Sequence, residues 1–130
     1  MKQNVRVLIA DDSPNSRKGL HALLGTFPGI ELVQDARDGV EAVNLAQEIQ
    51  PDVMLVDIKM PRLDGIQAIR QIKKEYPQIR LIALTIYINY QREAMEAGAD
   101  FYLLKGCSAQ DLYQAIIGPL VKPRMIGWAL

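Results

Sequence analysis

The sequence predicts an α/β fold, a parallel sheet of five strands with five helices laid over its two faces. Two observations carry that expectation. Short β-rich hydrophobic runs alternate with longer segments of helical period along the whole chain, which is the signature of βα units around a parallel sheet. Three of the runs, Val5–Ala10, 53–57 and 79–84, are almost wholly apolar, as strands covered on both faces must be.

The first strand, Val5–Ala10, ends at Asp11-Asp12, and Ser13-Pro14 then offers a helix N-cap with proline at the first helical position. Leu20, Leu23, Leu24 and Phe27 recur at i, i+3, i+4 and i+7 and define the apolar face of the first helix. The second strand covers 30–35. A second helix over Gly39–Ile49 turns Val40, Val43, Ala46 and Ile49 inward. The third strand, 53–57, leads into a loop in which Pro61 fixes one turn and Gly65 permits a backbone angle closed to other residues. Ile66, Ile69 and Ile72 mark the third helix, which stops before Pro77. After the fourth strand, 79–84, comes an alanine-rich fourth helix at about 89–97 with a weak stripe, the cover expected to move, closed by Gly98 as a C-cap. The fifth strand is Phe101–Leu104, and Ser108 caps a fifth helix with Leu112, Ile116 and Leu120 inward. Pro119 and Pro123 stop that helix. One domain therefore spans 1–120, and 121–130 reads as a C-terminal tail or linker stub, the alternative being a docking element built around Trp128.

Bulk properties narrow the function classes. At 130 residues the chain has the size of one domain. Fifteen basic and fifteen acidic side chains cancel, whereas a nucleic-acid binder is expected to show a basic excess. A single cysteine, Cys107, excludes an intrachain disulfide, and with no signal-like N-terminus the expected location is cytoplasmic. No apolar stretch approaches the roughly 20 residues that cross a bilayer, so no membrane association is expected. His21 lies beside the apolar stripe of the first helix and reads as a surface residue, and Cys107 reads as inert.

The residues able to do chemistry stand where hydrophobic runs end: Asp11 and Asp12, Asp57, Thr85 and Lys105. In an open parallel sheet, ligands bind outside the carboxyl ends of the strands, so these positions meet at one edge. Packing three carboxylates together is costly in desolvation and repulsion, which points to a divalent cation and a phosphate-like group. The Thr85 hydroxyl and the Lys105 ammonium are donors such a group requires. Singly, each has a plainer explanation. An acidic pair at a strand end is usually a helix cap, Lys105 an exposed lysine, Thr85 a β-former and Tyr102 a half-buried aromatic.

Together they resemble a known family. Ala10-Asp11-Asp12, Asp57 with Lys59-Met60-Pro61 and Leu63-Asp64-Gly65 following, Leu84-Thr85, Ala97-Gly98-Ala99, and Tyr102 three residues before Lys105 are similar to the receiver domain of bacterial two-component response regulators, in order and spacing over roughly 4–120. The resemblance implies a flavodoxin-like three-layer sandwich with strand order 2-1-3-4-5. It implies that Asp57 is the phosphoacceptor, taking a phosphoryl group from the phosphohistidine of a sensor histidine kinase or from a small acyl phosphate. It implies Mg²⁺ held by Asp11, Asp12, a carboxylate oxygen of Asp57 and the backbone carbonyl of Lys59. Thr85 and Lys105 would contact the phosphoryl group, and Thr85 and Tyr102 would form the switch, reshaping the face of the fourth helix, fifth strand and fifth helix. The product of that chemistry is a conformational state, so the chain is read as a signalling domain rather than a turnover enzyme.

Gly106 departs from the proline that many receivers carry after the lysine. Tyr102-Leu103-Leu104-Lys105-Gly106, with Leu84-Thr85-Ile86-Tyr87, is similar instead to the LuxR-type subfamily, whose C-terminal helix-turn-helix domain binds DNA. No such domain fits after Leu120. The expectation is transcription regulation through an output domain outside this chain, with homodimerisation on phosphorylation, and the alternative is a single-domain or pseudo-receiver acting by protein contact. Lys59 and Tyr87 lie two residues beyond Asp57 and Thr85, where bulk would shield an acyl phosphate and lengthen its lifetime to minutes or more. Two rivals fit poorly. A Mg²⁺-dependent aspartyl-phosphate phosphatase of the haloacid-dehalogenase kind wants an aspartate where Lys59 stands, and a flavodoxin-like cofactor binder wants a Ser/Thr/Gly loop where Asp11-Asp12-Ser13-Pro14 is anionic.

Overall fold

The structure, a computed structural model, describes residues 4–120, so the tail and Trp128 lie outside the described residues. The strands are β1 (Val5–Ala10), β2 (Ile30–Ala36), β3 (Val53–Val56), β4 (Arg80–Thr85) and β5 (Phe101–Leu104). They pair in parallel in the order β2-β1-β3-β4-β5, the flavodoxin-like arrangement expected. The helices are α1 (Pro14–Leu24), α2 (Gly39–Ile49), α3 (Gly65–Glu75), α4 (Gln91–Ala97) and α5 (Ala109–Ile117).

Side chains alternate across the pleat, so each central strand feeds two cores. Val7, Ile9, Leu55, Ile82 and Leu84 pack with Leu24 of α1 and Leu112 and Ile116 of α5. Leu8, Ala10, Met54, Val56 and Leu81 pack with Leu45 of α2, Ile69 and Ile72 of α3, and Ala94 of α4. Both faces of the sheet are dry, which is why its strands read as continuous apolar runs. Four helices begin at a side-chain cap: Ser13, Asp38, Asp64 and Ser108 each accept a backbone N–H from the third residue on. Such caps stabilise a helix start by about 1 kcal/mol. The seven-residue α4 starts at Tyr90 with no side-chain cap bond.

Several expectations are corrected in detail. α1 ends at Leu24, so Phe27 reaches the core from the following turn and packs on Tyr113 with ring centroids 4.9 Å apart. In α2 the buried line is Ala42, Leu45 and Ala46, with Val43 and Ile49 only partly covered, because small residues let the helix lie close to its neighbours. α5 ends at Ile117, and Leu120 beyond it is exposed rather than inward. Gly65 has no left-handed backbone; the positive φ in that loop belongs to Arg62, at 69°. Glycine is needed at 65 for space, since a Cβ there would sit 1.9 Å from the carbonyl oxygen of Asp57. Gly39 meets the same constraint against the Leu63 carbonyl oxygen, at 1.7 Å. These two glycines let the starts of α2 and α3 close on the loop that follows β3.

Candidate functional site

β1, β3, β4 and β5 end side by side, with Ala10 opposite Val56, Val56 opposite Ala83 and Thr85 opposite Leu104. The residues that follow those ends inherit the registry. The Asp57 amide donates to the Ala10 carbonyl at 2.9 Å, the Lys105 amide to the Thr85 carbonyl at 2.8 Å, and the Asp11 amide to the Ala36 carbonyl at 3.0 Å. Backbone pairing thus fixes three charged side chains before they touch.

Oxygens of Asp11, Asp12 and Asp57 all lie within 4.8 Å of one another. Asp11 is 2% and Asp57 8% exposed, while Asp12 faces solvent. Two buried carboxylates at this range repel unless a cation stands between them. Lys105 does so, its Nζ lying 2.8 Å from Asp11 Oδ2 and 2.9 Å from Asp57 Oδ2. Burial opposes the charge on Lys105, but the hydrogen bonds to Asp11 and Asp57 outweigh it and hold its pKa above the ordinary lysine value. The remaining acceptors are also filled. Ser16 Oγ donates to Asp11 Oδ2, the Ser13 amide donates to Asp11 Oδ1 at 2.9 Å, and the Ile58 amide donates to Asp57 Oδ1 at 2.7 Å.

Around this cluster, Thr85 is wholly buried and its Oγ1 accepts the Tyr87 amide at 3.3 Å. The Tyr102 ring is buried, and its hydroxyl donates to the Tyr87 carbonyl. Burial pushes the Tyr102 pKa up, so the phenol remains a donor. Among the described residues no hydrogen bond joins Thr85 or Tyr102 to the carboxylates; both instead grip the loop after β4. The Lys59 ammonium stands 4.7 Å from the centroid of the Tyr90 ring and 5.8 Å from that of Tyr87, and the two rings meet edge to face at 84°. That contact ties the loop after β3 to the loop after β4. Away from the site, His21 is half exposed and bonds Asp35 at 2.8 Å. Burial raises the Cys107 pKa, with Asp111 adding to it, which keeps the thiol protonated and unreactive.

Sequence reasoning missed Ser16, Arg17 and Tyr90. Ser16 is the third residue of a helix capped by Ser13, a position from which side chains reach back over the preceding loop, so its spacing from Asp11 was a usable signal. Nothing in the sequence pointed to Tyr90 beside Lys59.

Chemically, the cluster is a set of hard oxygen donors with one open side at Asp12, which fits a small divalent cation such as Mg²⁺. It also presents a carboxylate, Asp57, beside an ammonium able to follow charge onto an incoming anion.

The chain is similar in sequence and fold to known proteins. A family model of the response regulator receiver domain matches residues 7–117. The response regulator protein VraR of Staphylococcus aureus is 40% identical over 114 residues, 86% of this chain and 54% of the relative, so the chain spans about half the length of the curated relatives it matches. Among solved structures, a LuxR-family two-component response regulator from Aurantimonas sp. SI85-9A1 superposes with a TM-score of 0.82 at 33% identity, covering 88% of this chain and 83% of that one. A chain of the CheX-CheY-BeF3-Mg+2 complex from Borrelia burgdorferi superposes with a TM-score of 0.83 at 27% identity, covering 92% of each chain. By motif, strand order and kinship the chain belongs to the response regulator receiver domains, with LuxR-type regulators among its relatives.

Proposed function

We propose that this receiver is a Mg²⁺-dependent phosphoryl switch in which Asp57 is the phosphoacceptor and a sensor histidine kinase, or a small acyl phosphate, is the donor. The observation that carries the reading is the Lys105 ammonium bridging Asp11 and Asp57 at 2.8 and 2.9 Å inside a three-carboxylate cluster. A carboxylate oxygen of Asp57 forms the new O–P bond while the P–N bond of the donor phosphohistidine breaks and the imidazole leaves. Lys105 then exchanges its bond to Asp57 for one to the phosphoryl oxygens, since a dianionic group is the stronger partner. Asp11, Asp12, Asp57 and the Lys59 carbonyl would hold Mg²⁺, which would supply charge neutralisation for the transferred group.

The Thr85 hydroxyl must give up the Tyr87 amide to reach the phosphoryl group, which frees one of the two bonds holding the loop after β4. Tyr102 retains the other from its inward position. The change reaches the α4–β5–α5 face, where Ile88 is 72% and Leu104 39% exposed, and this face serves as the output surface, including for homodimerisation. In a LuxR-type regulator that output controls a DNA-binding domain outside these residues, and hence transcription in the cytoplasm. Among the described residues no helix is long and apolar enough to cross a membrane. The domain stores a state and is not a turnover enzyme.

The test is incubation with Mg²⁺ and a small acyl phosphate, followed by intact mass and sedimentation, with beryllofluoride as mimic and Asp57→Asn as control. A Mg²⁺-dependent phosphoryl adduct absent from the variant is expected, with a shift in sedimentation. Absence of adduct and of any response to the mimic overturns the reading.

A further inference from the structure

We propose that Arg17 is a positioning residue for the metal-ligating loop after β1, and that a bulge in the edge strand β2 supplies the carboxylate that aims it; the inference rests on the Mg²⁺ reading above. Arg17 Nη1 donates to the backbone carbonyl of Asp11 at 2.7 Å. That carbonyl belongs to the peptide joining Asp11 to Asp12, so fixing it orients both ligands at once. The other side of Asp11 is already pinned, its amide bonded to the Ala36 carbonyl. Asp12, exposed and without a described hydrogen bond, depends on that peptide for its direction.

The guanidinium is itself held. Its Nε lies 3.7 Å from Asp35 Oδ2, with only 15% of the Arg17 side chain exposed, and His21 Nε2 flanks the same carboxylate at 2.8 Å from Oδ2 and 2.9 Å from Oδ1. Asp35 points that way because of the sheet. Val7 pairs with Leu32, but Leu8 pairs with Gln34, so Val33 is an extra residue in β2. Leu32 packs in the α1/α5 core and Val33 in the opposite one, and past the bulge Asp35 pairs with Ile9, whose side chain is again in the α1/α5 core. Under strict alternation Gln34 would oppose Ile9, and Asp35 would leave α1 for the other face. A bulge beside a site commonly re-aims one side chain in this way. A forked guanidinium can hold a carbonyl and face a carboxylate together, which a lysine point charge does less well.

The experiment measures Mg²⁺ affinity of the unphosphorylated chain by calorimetry, and amide hydrogen exchange across residues 11–16 in EDTA. Arg17→Met is expected to weaken Mg²⁺ binding about 10-fold, the lower end for loss of a partner that orients a metal ligand. Asp35→Asn should shift it the same way by less, and Arg17→Lys should recover part of the loss. Lys73→Met breaks the Lys73–Asp100 pair at the far end of the sheet and serves as a stability control that keeps wild-type affinity. Unchanged affinity in Arg17→Met, or an equal loss in Lys73→Met, overturns the proposal. If the wild type takes up no Mg²⁺, the functional reading fails, and exchange then decides the positioning role alone. Faster exchange at 11–16 in Arg17→Met but not in Lys73→Met supports it, and equal exchange overturns it.

Discussion

Replacing Lys105 by methionine should destabilise the metal-free protein by about 2–4 kcal/mol at neutral pH. The side chain keeps much of its volume, so the loss is chiefly electrostatic. A charge-assisted hydrogen bond to Asp57, contributing about 1.5–3 kcal/mol, and a close ion pair with Asp11 disappear, and two carboxylates are left facing one another. Breaking a buried pair by removing one partner costs about 3–5 kcal/mol, and the estimate is lowered here because the Lys105 side chain is 23% exposed and water reaches the Asp12 side. In a domain of this size the deficit corresponds to a melting point lower by about 10 °C. The wild type should also show a pH dependence at the alkaline end. Lys105 has a folded pKa raised above 10.5, so its contribution is complete below the unfolded lysine value and is lost as pH rises through the folded one. Mg²⁺ at about 100 times its Kd should return about 2.7 kcal/mol to the variant, because the ion supplies the missing cation. Thermal and urea melts in EDTA and in Mg²⁺ read all of this. Equal melting points in EDTA at pH 7.5, or a deficit that does not shrink as pH rises through the Lys105 pKa, would refute the electrostatic account.

Gly65→Ala should cost about 2–4 kcal/mol in urea melts, since its Cβ would lie 1.9 Å from the Asp57 carbonyl oxygen, whereas Gly19→Ala, with nothing within 4 Å on the surface of α1, should gain about 0.5–1 kcal/mol. Lys59→Ala with Tyr87→Ala should shorten the phosphoryl lifetime several-fold in a dephosphorylation time course, and Tyr90→Leu should do so in part by freeing Lys59 from its ring; an unchanged lifetime in the double variant counts against shielding. Tyr102→Phe leaves the Tyr87 carbonyl without its phenol donor, and should cost about 1 kcal/mol and speed hydrogen exchange in the loop after β4.

The carboxylate cluster was legible in the sequence because it rests on where the apolar runs end, whereas the strand order was carried by the resemblance to receiver domains, since a hydrophobic period locates strands without ordering them. Apolar runs two-sided enough to be central strands placed Asp11, Asp57, Thr85 and Lys105 at one edge without any knowledge of contacts. What escaped depended on distances between elements. Gly65 looks in sequence like a turn glycine, and only the closeness of the α3 start to the Asp57 carbonyl shows that it answers a steric demand. Likewise Leu120 fits the heptad-like spacing of α5, yet Gly118 ends the helix before that residue can turn inward. The orientation of Asp35 hangs on one inserted residue in β2, and no local pattern distinguishes a bulged strand from a regular one of the same length.

The Lys105 bridge joins residues from opposite ends of the described chain, with Asp57 lying 48 positions from the lysine. Contacts of that span carry a larger loop-closure cost than contacts within one element. A chain emerging from synthesis also carries Asp57 long before it carries the lysine that pairs with it. Under the proposed function, a copy whose fifth strand has not yet paired would lack the ammonium beside its phosphoacceptor, so readiness for phosphoryl transfer would itself report that the last strand is in place.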